Sequence, residues 1–189
     1  MNLVFQAADA LQVFLQEQRW RFCFIGGLAV QHWGEPRVTR DVDVTLLAGF
    51  GNEEVFTNAL LKRFQPRVPD FWDKAIRARV ALLKHENGVG LDVALGALPF
   101  EEQVIERSQD IRFLREWSLR ICSAEDLIVM KALAGRPRDW LDVESVIIRQ
   151  GAKLDWSYIA RELKPLSELA EKSDVLTELE SRRRKLERK

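Results

Sequence analysis

RVTRDVDVTLL, residues 37–47, sets an arginine, a threonine and two aspartates against a row of aliphatic residues. Side chains alternate faces along an extended chain. Extended throughout, the stretch places Arg37, Thr39, Asp41 and Asp43 on one face and Val42, Val44 and Leu46 on the other. The aliphatic face belongs in a core. The other brings two carboxylates side by side, where like charges repel. An Asp-x-Asp pair alone is most often a solvated strand face, so its neighbours in the chain must decide what this one does.

Upstream, Phe22-Cys23-Phe24-Ile25-Gly26-Gly27 reads as a short strand ended by a double glycine, with one or two helical turns over Leu28 to Trp33. Glycines there let the backbone approach a phosphate, and a helix N-terminus supplies free N–H groups and a positive dipole end. Downstream, two β-prone runs, Ala75 to Lys84 and Val89 to Leu95, flank His85-Glu86-Asn87-Gly88. Asn-Gly between such runs signals a hairpin. Asp92 in the second run has Gly90 and Ala94 on its own face, which leaves room beside the carboxylate. Three carboxylates converging from two neighbouring strands call for a cation between them, and Mg²⁺ or Mn²⁺ suits oxygen ligands. Two such ions serve in-line phosphoryl or nucleotidyl transfer.

The remaining pattern is mixed α and β up to about residue 122 and helical beyond it. Val4 to Arg19 is amphipathic, Glu53 to Phe64 and Glu101 to Gln109 read as helices, and Trp117 to Cys122 as a strand. Ser123-Ala124-Glu125-Asp126 is a capping box opening a helix to Leu133. Gly135 stops that helix and Pro137 starts the next, which runs to about Ile148. From Leu154 the spacing is helical, ending in SRRRKLERK.

GGLAVQHWGEPRVTRDVDVTLL resembles the first motif of polymerase-β-like nucleotidyltransferases, Gly-Gly, a short helix, then Asp-x-Asp. GVGLDVA, residues 88–94, resembles the second, and SAEDLIVMKALAGRPRDWLDVESVI resembles a later block of small prokaryotic members of the AbiEii type, found in abortive-infection and toxin–antitoxin systems. The resemblance covers roughly residues 20 to 150. It implies an α+β fold, a small mixed sheet with helices on one side, as a core over residues 1–122. A helical region over 123–189 would pack on that core and close the cleft. It further implies that Asp41, Asp43 and Asp92 are catalytic and bind two Mg²⁺ or Mn²⁺ ions. Gly26 and Gly27 would shape the turn against the triphosphate, Lys131 would reach a phosphate, and Asp139 and Asp142 would stand near the site, paired with Lys131 or Arg136 or handling the acceptor. Many members carry Ser or Thr directly after the double glycine. Here that position is Leu28, and backbone N–H groups, Thr39 or Arg37 would have to substitute.

The totals agree with this reading. With 189 residues, 47% of them apolar, the chain can build one sizeable core, and its 29 basic and 29 acidic residues balance. Neutral charge argues against nucleic-acid binding through overall charge. The basic end SRRRKLERK reads as a solvated helix end, with a weak RNA-phosphate contact as its other reading. Cys23 and Cys122 sit in apolar runs and read as buried free thiols. His32 and His85 have no ligand partner at metal spacing. With no apolar run of membrane-spanning length, a cytoplasmic protein is expected.

The expected activity is transfer of a nucleoside monophosphate from an NTP to a hydroxyl, releasing pyrophosphate. The acceptor is a tRNA or other RNA end, a protein side chain or a small molecule such as an aminoglycoside, and a cognate toxin or antitoxin is an expected partner. The alternative, from another class, is a catalytically weak nucleotide-binding antitoxin-like or regulatory protein, which Leu28 favours.

Overall fold

In the computed structural model, which describes residues 2–113 and 116–187, the chain forms two compact units. The first comprises Met1–Leu28 and Val38–Cys122, the second Ala29–Arg37 and Ser123–Lys189.

The first unit opens with helix α1 (Asn2–Glu17), strand β1 (Phe22–Phe24) and the start of helix α2 (Gly26–Trp33). Strand β2 (Asp41–Leu47), helix α3 (Glu53–Leu61), the two-residue strand β3 (Gln65–Pro66) and helix α4 (Phe71–Ile76) follow. Strands β4 (Val80–Lys84) and β5 (Gly90–Gly96), helix α5 (Pro99–Glu106) and strands β6 (Gln109–Phe113) and β7 (Trp117–Ile121) complete it. The strands make one mixed sheet in the order β3-β4-β5-β2-β1-β7-β6. The parallel partners β2 and β5 lie near its middle, flanked by antiparallel β1 and β4. Val42, Val44 and Leu46 of β2 and Leu91 and Val93 of β5 are wholly buried. Fully burying a side chain of this kind stabilises by about 1.5–3 kcal/mol, so the aliphatic face sets the registers of both strands, and with them the positions of the aspartates opposite.

Local chemistry explains most of these boundaries. Asn87 and Gly88 close the β4–β5 hairpin, with Gly88 at φ +87°, where a residue without a Cβ is unstrained. Glu101 folds back to accept the Ala97 and Leu98 N–H groups at 2.7 and 2.9 Å, which begins α5. Three expectations change. The strand expected from Ala75 begins only at Val80, because Phe71 and Ala75 bury one face of a short helix. The helix expected over Glu101 to Gln109 ends at Glu106, and residues 109–113 form an edge strand whose mostly exposed, polar side chains hide the strand period. The β2 strand starts at Asp41, leaving 37–40 outside it.

The second unit holds the rest of α2 with helices α6 (Ala124–Ala134), α7 (Pro137–Gln150), α8 (Trp156–Leu169) and α9 (Val175–Glu187). Ser123 caps α6, accepting the Asp126 N–H at 3.1 Å. Asp126 is fully buried, and its carboxylate accepts the Ser123 and Tyr158 hydroxyls, each at 2.6 Å, which ties α6 to α8. Gly135 ends α6 in the left-handed conformation. The last carbonyls of α2, Trp33 and Gly34, accept from Gln150 and Arg149 of α7 at 2.7 and 2.6 Å. In α9, Arg182, Arg183 and Arg184 each meet a glutamate, and Arg182 and Arg183 also lie over the Trp140 and Trp156 rings. These partners leave little of a bare basic stripe. Arg188 and Lys189 lie outside the described residues. Cys23 and Cys122 are both buried, as expected. No helix among the described residues is long and apolar enough to cross a membrane.

Candidate active site

Asp41 and Asp43 leave β2 on its polar face, and the parallel register sets Gly90 beside Asp41 and Asp92 beside Asp43. Neighbouring strands lie about 4.8 Å apart, so the three carboxylates share one small, partly exposed patch. Carboxylates directly opposite one another destabilise a sheet. The chain keeps them, and two glycines, Gly26 and Gly90, make space for them.

A Cβ on Gly26 would lie 2.6 Å from the Asp43 Cγ, and Gly26 also holds φ +56°. A Cβ on Gly27 would lie 2.8 Å from the Thr39 Cβ, and one on Gly90 would press on Asp41 Oδ1. The double glycine is therefore demanded by the side chains of Asp43, in the strand that follows it, and of Thr39, just ahead of that strand. The Gly27 N–H, in the first turn of α2, donates to Asp43 Oδ2 at 3.3 Å, directing the positive end of the helix at that carboxylate. Thr39 donates through Oγ1 to the Asp41 carbonyl at 3.1 Å. Leu28 is wholly buried and offers the site nothing polar.

The sequence reading missed Arg67. It follows β3, and its N–H donates to the Leu82 carbonyl at 2.9 Å. One guanidinium nitrogen donates to Asp41 Oδ1 at 3.0 Å and another makes a short contact with Asp92 Oδ1. A single cation thus bridges acids from two strands. Burial pushes the Asp92 carboxyl up to about 6; Arg67 opposes that shift, and the charges of Asp43 and Asp41 add to it. No local signal marks Arg67, since one arginine after a proline belongs to no periodic pattern.

The second unit gathers the other predicted side chains. Lys131 donates to Asp139 Oδ1 at 2.6 Å and pairs with Asp142 Oδ2 at 2.9 Å. Arg37 grips the same Asp142 carboxylate with Nε at 2.7 Å and a terminal nitrogen at 2.8 Å. Burial alone would raise the Asp142 carboxyl, but hydrogen bonds from Arg37 and Lys131 and their charges hold it below its ordinary value. Asp139 Oδ2 is buried with no hydrogen-bond partner among the described residues. Arg136 is exposed at the N-cap of α7.

Residues 2–187 match the family described as "Nucleotidyltransferase of unknown function (DUF6036)". The chain belongs to this family. Among curated proteins, none matches it in sequence. In fold, this nucleotidyltransferase is similar to an antigenic nucleotidyltransferase-like protein from Paracoccidioides brasiliensis, at 15% identity over 95% of this chain and 91% of that one, with a TM-score of 0.50. It is also similar to the antibiotic-resistance factor ANT(2'')-Ia, at 14% identity over 86% of this chain and 92% of that one, with a TM-score of 0.54. At such identities the likeness is one of fold.

The predicted residues of this nucleotidyltransferase thus form two clusters. Gly26, Gly27, Thr39, Asp41, Asp43 and Asp92 meet on the sheet of the first unit, while Arg37, Lys131, Asp139 and Asp142 meet in the second. Among the described residues, no group of three or more acids, histidines or cysteines is placed to hold a metal ion. The donor set on the sheet is nonetheless all carboxylate, and a guanidinium already lies between two of the acids. Hard divalent cations take such oxygens, so the residues present fit one in donor type.

Proposed function

We propose that the sheet cluster is the catalytic site of a metal-dependent nucleotidyltransferase, which moves a nucleoside monophosphate from an NTP to a hydroxyl acceptor and releases pyrophosphate. The observation that carries this reading is the side-by-side placement of Asp43 and Asp92 in the β2–β5 register, with Asp41 two residues away and Gly90 beside it. Asp41, Asp43 and Asp92 would hold the ions. Mg²⁺ or Mn²⁺ there supplies charge neutralisation for the triphosphate and lowers the pKa of the acceptor hydroxyl. Gly26 and Gly27 keep the backbone low against the acids and leave the start of α2 open to phosphate oxygens. Thr39, packed on Gly27, supports that turn.

Arg37, Lys131, Asp139 and Asp142 are assigned a supporting role, in which the two cations reach nucleotide only when their carboxylate partners release them; Arg136 would stand beside them. The likeness of SAEDLIVMKALAGRPRDWLDVESVI to the AbiEii-type block supports a cytoplasmic role in a toxin–antitoxin or phage-defence pair with a cognate protein. The acceptor is an RNA end, a protein side chain or a small molecule.

A second reading rests on one specific feature. Leu28 is buried where a phosphate-binding hydroxyl would serve, and the Gly27 N–H is already spent on Asp43. Both suit a weak catalyst that chiefly binds nucleotide. Each of the four α-labelled NTPs, offered with Mg²⁺ or Mn²⁺ and total RNA, total protein or aminoglycosides, separates the two. Label that moves to one acceptor class and is lost in Asp43→Asn establishes transfer and names the class. Metal-dependent NTP binding with no label moved establishes the second reading.

A further inference from the structure

Arg67 is the one cation among the described residues that touches two of the three sheet acids, and nothing in the proposed chemistry uses it. Its position is built from three directions. The main chain is held by the Arg67 N–H to the Leu82 carbonyl, directly after Pro66 pairs with Leu83. The far end splits, each terminal nitrogen serving a different carboxylate, so the planar group lies across β2 and β5. The third support is Gly90, where a Cβ would meet Asp41 Oδ1 and the Arg67 guanidinium, with Cζ at 3.1 Å. The same glycine that clears space beside Asp41 therefore seats Arg67.

We propose that Arg67 is a resident counter-cation, which holds Asp41 and Asp92 in the metal-free protein, competes with an entering divalent ion and, once displaced, binds the phosphate oxygens that arrive with it. The inference rests on the reading that the sheet acids hold metal. Its physical basis is charge. One guanidinium neutralises part of the repulsion among three carboxylates, and the ion pairs are partly exposed, with 30% of the Arg67 side chain open to solvent. Pairs at that exposure are weak enough for a divalent ion to exchange. A freed guanidinium offers forked donors matched to phosphate, and its main-chain anchor keeps it beside the acids.

Two titrations of the full chain test this, neither of which needs turnover. The first follows free Mn²⁺ by its paramagnetic resonance without nucleotide, for wild type, Arg67→Gln, Arg67→Lys and Asp43→Asn. The second repeats it with a non-hydrolysable NTP analogue. Arg67→Gln should bind Mn²⁺ roughly 2- to 30-fold more tightly without nucleotide, the gain expected when two partly exposed ion pairs no longer compete. It should bind the Mn²⁺-loaded analogue less tightly than wild type. Arg67→Lys, keeping charge but not the fork, should lie between. A purely structural arginine would lower metal affinity or leave it unchanged on removal, and that result overturns the proposal. Wild-type Mn²⁺ binding that survives intact in Asp43→Asn would instead overturn the metal reading of the acids, and the Arg67 proposal with it.

Discussion

Asp43 and Asp92 are direct neighbours across the parallel β2–β5 pair, two acids in register on adjacent strands. A sheet selected for stability alone would separate them. Like charges placed opposite cost about 0.2–1 kcal/mol relative to neutral pairs. Asp92→Asn should therefore raise the melting temperature of the chelator-treated protein by about 1–4 °C while reducing nucleotide transfer by about a hundredfold or more. Calorimetry and label transfer on one preparation check both halves. A variant that is less stable and still active would remove Asp92 from the site.

The Asp92 carboxyl, at about 6 in the folded chain, stands above its unfolded value of 3.8. Between those values the folded state binds more protons than the unfolded state, so stability falls as pH rises. The contribution is fully present below 3.8 and is lost once the pH passes about 6. After discounting for solvent contact it amounts to about 1–2 kcal/mol. Urea midpoints taken with chelator across this window should drop for wild type relative to Asp92→Asn. Parallel curves for the two would show that burial does not hold the proton there.

Glycine replacements separate crowding from backbone strain. Gly26→Ala meets both, since its Cβ would press on Asp43 and its φ is +56°. Gly88→Ala meets only strain, with open space around it and φ +87°. Both should lose about 1–2 kcal/mol from the left-handed conformation. Gly26→Ala should also lose transfer and Mn²⁺ binding, whereas Gly88→Ala should keep both within about twofold, as expected of a surface turn away from the site. Thermal melts paired with Mn²⁺ titration distinguish them.

In the helical unit, Asp142 holds two cations with a side chain only 4% exposed. Asp142→Ala leaves Arg37 and Lys131 facing each other without their shared partner, a loss of about 3–5 kcal/mol for a buried network. Because these cations depress the carboxyl, its contribution is present above the unfolded carboxylate value and disappears as pH falls through the lower folded one. The gap in urea midpoint between wild type and variant should be wide at neutral pH and close in strong acid. A gap that stays constant with pH would mean that packing, rather than charge, makes the difference.

Short-range pattern carried much of this protein. Alternation of valines and aspartates along 41–47 specified a half-buried strand, Asn87-Gly88 specified the hairpin that brings in Asp92, and Ser123 specified the start of α6. Each depends on residues within a few positions of one another, where steric and hydrogen-bonding rules act locally. Tertiary structure alone decided the rest. The β2–β5 register that pairs Asp43 with Asp92 is set by which aliphatic side chains share a core across about fifty residues of chain. Arg37, two residues before Thr39 and expected on the same face as the acids, lies outside β2 and is taken by Asp142, 105 residues away. Arg67 directly follows a two-residue edge strand whose pattern says nothing of where a long side chain will end. Periodicity reports which way a residue faces along its own element. Which charge it meets depends on the chain folded against it.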